Sequence, residues 1–241
     1  MITCNLIGGL GNNLFQIASA YGIAKDNGHV FAPPYWGAYN RFFPNYKHVN
    51  TNKRAIILSE PSFNFTRLAP RGHLDYELRG YFQSARYFDH YKDEILNLFT
   101  MEEYLGGAKL KEINSVGVHV RRGDYLRMPQ HHPVLPMSYY HEAMEQFKGS
   151  TFVIFSDDIE WCREQDWGGH EVYFSTSYRD VQALRNMSIC RHNIIANSSF
   201  SWWGAYLNQR EGRMVIAPKQ WFGEKLPHDT KDLIPKDWLR I

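Results

Sequence analysis

Long apolar runs, paired cysteines and a dominant charge sign are all missing from this sequence, and each absence removes a class of function. No stretch reaches the roughly 18 consecutive apolar residues that a membrane span needs. Residues 1–8 carry no basic n-region and run into glycines before a signal-peptide core could form, so neither a span nor a leader is expected. The three cysteines, Cys4, Cys162 and Cys190, are an odd number without paired spacing. They favour reduced thiols in a cytoplasm-like compartment over a disulfide scaffold. A cytoplasmic protein is therefore expected, with peripheral attachment at a membrane surface left open. The formal net charge of +2 gives no global field for nucleic acid or anionic membrane, so any anion site must be local.

Catalytic signatures are missing too. There is no Gly-x-Ser-x-Gly elbow and no P-loop, which removes the main supports of a hydrolase or kinase. Asp157 and Asp158 are adjacent and do not form the Asp-x-Asp spacing of metal-dependent transferases. No group of His, Cys and acids has a metal-ligand spacing, and His131-His132 before Pro133 reads as a solvated loop. No metal and no cofactor are expected. Internal repeats and low-complexity tracts are also lacking.

What is present is a chain of 241 residues, 44% apolar, long enough to bury a core as one large domain or two small ones. Residues 2–7 form a short apolar run that ends in Gly8-Gly9-Leu10-Gly11. Leu14, Ile17, Ala18, Tyr21 and Ala24 then recur at helical spacing. This is strand, glycine turn, helix. Residues 29–70 are irregular, with a strand expected at 55–58, and a helix is expected over 84–98. From residue 116 the pattern becomes regular. Strands are expected at 116–120, 151–155, 172–174, 193–196 and 214–217, alternating with helices at 138–147, 159–164, 179–187 and 202–209. Such alternation argues for a parallel sheet covered by helices. Two Rossmann-like units facing a cleft follow, over residues 1–110 and 111–241.

Ligands of open parallel sheets sit beyond the carboxyl ends of the strands. The residues just after each strand are therefore the candidates. His119 and Arg121 lie two apart and share one strand face. A guanidinium there can fork onto phosphate oxygens, with Arg122 beside it, and Asp124 can orient a guanidinium or take a proton. The plain alternative is an exposed Arg–Asp pair at a strand end, but adjacent arginines closing an apolar strand argue against it. Ser198-Ser199-Phe200-Ser201 opens a helix whose free N–H groups and hydroxyls suit a phosphate, or else simply cap it. Asp157 and Asp158 can read a base edge or cap the next helix. Gly9, Gly11 and Asn12 permit close approach of a phosphate. Leu14 stands where a dinucleotide fingerprint needs its third glycine, and no acidic ribose ligand follows, which speaks against a nicotinamide enzyme. The tryptophans, Trp202-Trp203 among them, read mostly as core.

Four segments together resemble the alpha-1,2-fucosyltransferase family, glycosyltransferase family 11. They are Gly8-Gly9-Leu10-Gly11-Asn12-Asn13-Leu14-Phe15-Gln16, Gly80-Tyr81-Phe82-Gln83-Ser84, His119-Val120-Arg121-Arg122-Gly123-Asp124, and the run from Cys190 to Ala205 containing Asn197-Ser198-Ser199-Phe200-Ser201-Trp202-Trp203. They occur in family order and span most of the chain. The resemblance implies an α/β, GT-B type, inverting and metal-independent enzyme. Its C-terminal unit would bind GDP-fucose as co-substrate, and its N-terminal half would hold a galactoside-terminated glycan acceptor. It implies that Arg121 meets the donor's beta-phosphate, that His119 and Asp157 read guanine, and that Ser199, Phe200 and Ser201 form the phosphate-binding turn. Asn12 resembles a glycine-loop asparagine that approaches the pyrophosphate. Arg121, Asp124 and Asn12 are thus the candidate catalytic residues. More distant fucosyltransferases place a glutamate slightly beyond this arginine motif, but here that stretch reads Arg127-Met128-Pro129-Gln130, so their base cannot be carried over. Two readings compete: transfer of another GDP-linked sugar, and a catalytically silent nucleotide- or glycan-binding protein of the same fold.

Overall fold

Ile2, Thr3 and Cys4 are all buried and form strand β1 (Ile2–Cys4), which leads through the glycine turn into helix α1 (Leu10–Asp26). These belong to a computed structural model that describes residues 1–51, 54–102, 114–177 and 179–241. It divides into two units, Met1–Glu102 with Asp229–Pro235, and Glu103–His228 with Lys236–Ile241. The division expected at 110/111 falls in residues 103–113, outside the described ones. Assigning 111–241 wholly to the second domain needs one correction, because Asp229–Pro235 belongs to the first unit. Polar pairing accounts for it: Asp232 accepts a hydrogen bond from the Phe65 amide at 3.1 Å and forms an ion pair with Arg86 at 2.9 Å.

In the first unit, β1, β2 (Ile56–Ser59) and β3 (Tyr76–Arg79) form a parallel sheet in the order β1-β3-β2. The register sets Tyr76 beside both Ile2 and Ile56. Strand β3, the centre of the sheet, has no counterpart in the sequence reading. Its Tyr-Glu-Leu-Arg alternates apolar and charged residues over only four positions, too short a run for period 2 to stand out. Helix α1 supplies Leu14, Phe15, Ile17 and Ala18 to the core, all fully buried. The single helix expected over 84–98 is instead two short 3-10 turns, Ala85–Tyr87 and Asp89–Tyr91, followed by α2 (Lys92–Leu98). Tyr87 and Phe88 are both buried. Adjacent side chains on a regular helix point about 100° apart, so a break in the helix lets both reach the core.

In the second unit the strands are β4 (Ser115–Val120), β5 (Thr151–Ser156), β6 (Val172–Phe174), β7 (His192–Ile194), β8 (Val215–Ala217) and β9 (Leu239–Arg240). The helices between them are α3 (Met137–Met144), α4 (Ile159–Arg163), α5 (Asp180–Ile189) and α6 (Ser199–Tyr206). The sheet runs β6-β5-β4-β7-β8-β9 with every pairing parallel. This is the doubly wound Rossmann order, and its direction reverses between β4 and β7. The expected fold class, α/β of GT-B type with Rossmann-like units, is the one observed. Both faces of this sheet are covered, as parallel sheets require. Val116, Val118, Phe152 and Ile154 pack with Tyr140 and Met144 on one side, while Val153 and Phe155 pack with Met187 and Cys190 on the other. Trp202 and Trp203 are fully buried, so they are core as expected.

Candidate functional site

The reversal between β4 and β7 is where a doubly wound sheet opens a crevice at its carboxyl edge. Arg121 leaves β4 at that point. Its Nη2 donates to Asp124 Oδ1 at 2.6 Å and its Nη1 pairs with Asp157 Oδ2 at 3.0 Å. A guanidinium gripped by two carboxylates is fixed in plane and orientation, which a single exposed pair would not achieve. Of the two roles the sequence leaves open for Asp124, orienting a guanidinium is therefore visible. Asp157 Oδ1 also accepts the backbone N–H of Arg122 at 3.0 Å, tying the end of β5 to the turn after β4. A Cβ at Gly123 would collide with Asp157 Oδ2, so glycine there is what lets the two loops meet.

Arg122 turns elsewhere. Its Nε donates to Asp158 Oδ2 at 2.9 Å, and its guanidinium lies 3.7 Å from the Trp161 ring centroid. Asp158 in turn caps α4 by accepting from Trp161 N at 3.4 Å. Of the two roles open to this pair, capping falls to Asp158, while Asp157 pairs with Arg121 and the Arg122 amide. Three carboxylates accompany two guanidiniums here, so the cluster is not an open positive pocket.

His119 is 3% exposed, with its ring 5.3 Å from that of Phe200. Burial, reinforced by the nearby Arg121 charge, pushes its pKa down to about 3, so the ring is neutral at ordinary pH. Its Nδ1 is buried without a hydrogen-bond partner, an arrangement that folding alone does not reward. After β7, Asn197 donates to Pro133 O and to Trp221 O, both at 3.0 Å, and so anchors the loop before α6. Helix α6 begins at Ser199, and Phe200 is half-buried above His119. Ser201 is fully buried, and its hydroxyl donates back to Ala196 O and Ser198 O at 3.3 and 3.2 Å. In the expected phosphate turn the Ser201 hydroxyl is thus taken up by backbone, while Ser199 and Phe200 in the first turn of α6 remain partly exposed.

Three residues here were not among the site candidates read from sequence. Tyr125 donates its hydroxyl to Asn197 O at 2.9 Å, joining the β4 and β7 loops, and its ring lies 5.4 Å from the Arg121 guanidinium. Burial pushes its pKa up to about 12. His132 stacks on Tyr125 at 4.8 Å and 20°, with its pKa lowered chiefly by burial. The expectation of a solvated His131-His132 loop is thus corrected for His132, whose flat ring covers an aromatic neighbour. The third is Asn197. Only its place in the loop after β7 pointed toward it.

The remaining predicted residues lie in the first unit. Gly9 is the N-cap of α1, with extended backbone, and Gly11 is buried in its first turn. Asn12 Oδ1 accepts from Gln83 Nε2 at 2.9 Å. Asn13 and Gln16, from the same motif, turn inward: Asn13 Nδ2 donates to Ile7 O, and Gln16 Oε1 accepts from the Ile7 amide. Among the described residues no group of three or more His, Cys, Asp and Glu could hold a metal. No helix there is long and apolar enough to cross a membrane.

A family model described as glycosyl transferase family 11 matches residues 37–241. The chain belongs to this family. The family 11 chain is 33% identical to the Escherichia coli O-antigen biosynthesis glycosyltransferase WbnK over 69% of its own length and 61% of the relative's. It is 29% identical to an Escherichia coli alpha-1,2-colitosyltransferase, covering 100% of itself and 99% of that protein. Galactoside alpha-(1,2)-fucosyltransferase 2 of Oryctolagus cuniculus is 30% identical, over 86% of the chain and 67% of the relative. The solved structure of NodZ alpha-1,6-fucosyltransferase soaked with GDP-fucose shares the fold, with TM-score 0.52 at 14% identity over 86% of this chain and 92% of that one. The family expected from the four sequence segments is the family found.

Proposed function

We propose that this glycosyltransferase moves L-fucose from GDP-fucose to the 2-hydroxyl of a terminal galactoside, with inversion and without metal. The observation that carries the reading is the gathering of Arg121, Asp157, His119 and the amino end of α6 at the β4–β7 reversal. Arg121 is assigned to the departing diphosphate, Asp157 and His119 to the guanine, and the opening of α6 to phosphate oxygens. The diphosphate takes the place of Asp124 on the guanidinium, since at 41% Asp124 is more exposed than Asp157 at 26%. Asp157 keeps the guanidinium in plane during the exchange. The acceptor oxygen attacks the anomeric carbon on the face opposite GDP, a C–O bond forms as the C–O bond to phosphate breaks, and the diphosphate leaves with the electron pair. Released from Arg121, Asp124 is the candidate to take the hydroxyl proton.

Calorimetric titration of GDP, UDP and ADP in the presence of a chelator tests the donor site. We expect GDP to be preferred, with its affinity falling about tenfold or more in Arg121→Ala, the cost of a lost charged hydrogen bond. Equal affinity for UDP, or a requirement for metal, would overturn the assignment. The relative matched along 99% of its length is named a colitosyltransferase, which favours a second reading in which the sugar is another GDP-linked deoxyhexose. Competition between GDP-fucose and such a donor in a galactoside transfer assay separates the two.

A further inference from the structure

The loop after β3 is built on strained backbone. Gly80 has φ +152 and Phe82 has φ +51. A bulky non-glycine residue in the left-handed region costs on the order of 1 to 3 kcal/mol, and such strain concentrates where function requires it. Three side chains from two other segments hold the loop in place. Glu60 accepts the backbone N–H of Tyr81 at 2.7 Å and of Phe82 at 2.9 Å. Gln16 donates to Gly80 O at 2.9 Å, and Ser19 donates to Phe82 O at 3.1 Å. The Glu60 side chain occupies the space where a Cβ at Gly80 would stand. Burial raises its pKa despite the two amides that stabilise the anion, so a costly carboxylate is devoted to shaping backbone.

This scaffold buries Phe82 completely and turns Tyr81 outward at 43% exposure. An exposed tyrosine by itself is ordinary. Here the exposed ring stands at the carboxyl end of the central strand of a parallel sheet, where such sheets bind ligands. Beside it, Gln83 reaches the side chain of Asn12 at the glycine turn. An exposed aromatic face at this strand end suits a neutral pyranose, whose C–H face lies on the ring.

We infer that the 80–83 loop is the acceptor-binding edge of the first unit, with Tyr81 as the platform on which the acceptor sugar stacks and Glu60 as the residue that positions it. The choice of a galactoside as that sugar rests on the proposed function. Two measurements keep the two ideas separable. The first is saturation-transfer NMR with methyl β-galactoside, which reads binding whether or not transfer occurs. Wild type and Tyr81→Phe should show transfer to the C–H face of the sugar, and Tyr81→Ala should lose it. The second is the transfer assay at saturating GDP-fucose. In Tyr81→Ala the acceptor KM should rise about tenfold, as expected for losing one apolar contact face, while GDP affinity stays within twofold. Galactoside binding by Tyr81→Ala equal to wild type, or an equal loss of GDP affinity, would overturn the inference. Tyr81-dependent binding without product from wild type would instead leave the inference standing and sink the transfer reading.

Discussion

At the carboxyl end of β4, charged side chains hold one another in place: Arg121 between Asp124 and Asp157, and Arg122 on Asp158. At the carboxyl ends of β1 and β3 no ion pair among the described residues holds the loop: the Glu60 carboxylate takes two backbone amides, Gln83 donates to Asn12, Gln16 to Gly80 O and Ser19 to Phe82 O. Both edges belong to parallel α/β units, so the scaffold does not set the chemistry. Under the proposed function the difference lies in what each edge has to meet. Ion pairs can be exchanged for another ion, which suits a departing diphosphate. Preset neutral donors and an open ring suit a polyol, whose hydroxyls offer no charge to trade.

Three perturbations probe this contrast, beginning with the largest. Asp124→Asn removes the exchangeable carboxylate. Turnover is expected to fall roughly 10²- to 10⁴-fold, while GDP affinity changes less than tenfold, in a paired kinetic and calorimetric measurement. A change confined to GDP affinity would reduce Asp124 to an orienting group. Gly80→Ala attacks the other edge, since the new methyl group meets both a left-handed backbone and Glu60. Denaturant unfolding should show a loss of about 2 to 4 kcal/mol. No loss would mean that the 80–83 loop is easily remade and not preset. The third perturbation is at His119, whose pKa is about 3 in the fold against 6.5 for the free side chain. A depressed histidine stabilises the fold fully above 6.5, and that contribution drains as pH falls toward 3. Its slope is at most about 1.4 kcal/mol per pH unit. His119→Asn should flatten the acid limb of stability between those values, and an unchanged limb would place the titration elsewhere.

Much of the second unit was legible because its strands are apolar runs of buried residues set between helical periods. The expected strand at 116–120 and the observed Ser115–Val120 differ by one residue. Strand β3 and the broken helix after Ser84 were not, since one alternates charge over four residues and the other breaks to bury Tyr87 beside Phe88. At the site, Arg121 and Asp157 could be found from position alone, directly after buried strands. Tyr125 could not, and no partner for Asn197 or Gln83 was legible. Each acts through a partner distant in sequence, Tyr125 through a carbonyl 72 positions away and Gln83 through an amide 71 positions away. Local spacing contains no trace of such pairs. The Ser201 hydroxyl, by contrast, bonds within its own turn, to Ser198 O.

The segment Asp229–Pro235, which returns to the first unit and supplies Asp232 to Arg86 and to the Phe65 amide, bears on how the chain comes off the ribosome. Domains usually form in order of synthesis. Here the earlier unit waits for a piece that is translated after nearly all of the later one. A nascent chain halted before residue 229 would therefore carry a finished β4-to-β8 sheet beside a first unit still missing one of its own ion pairs.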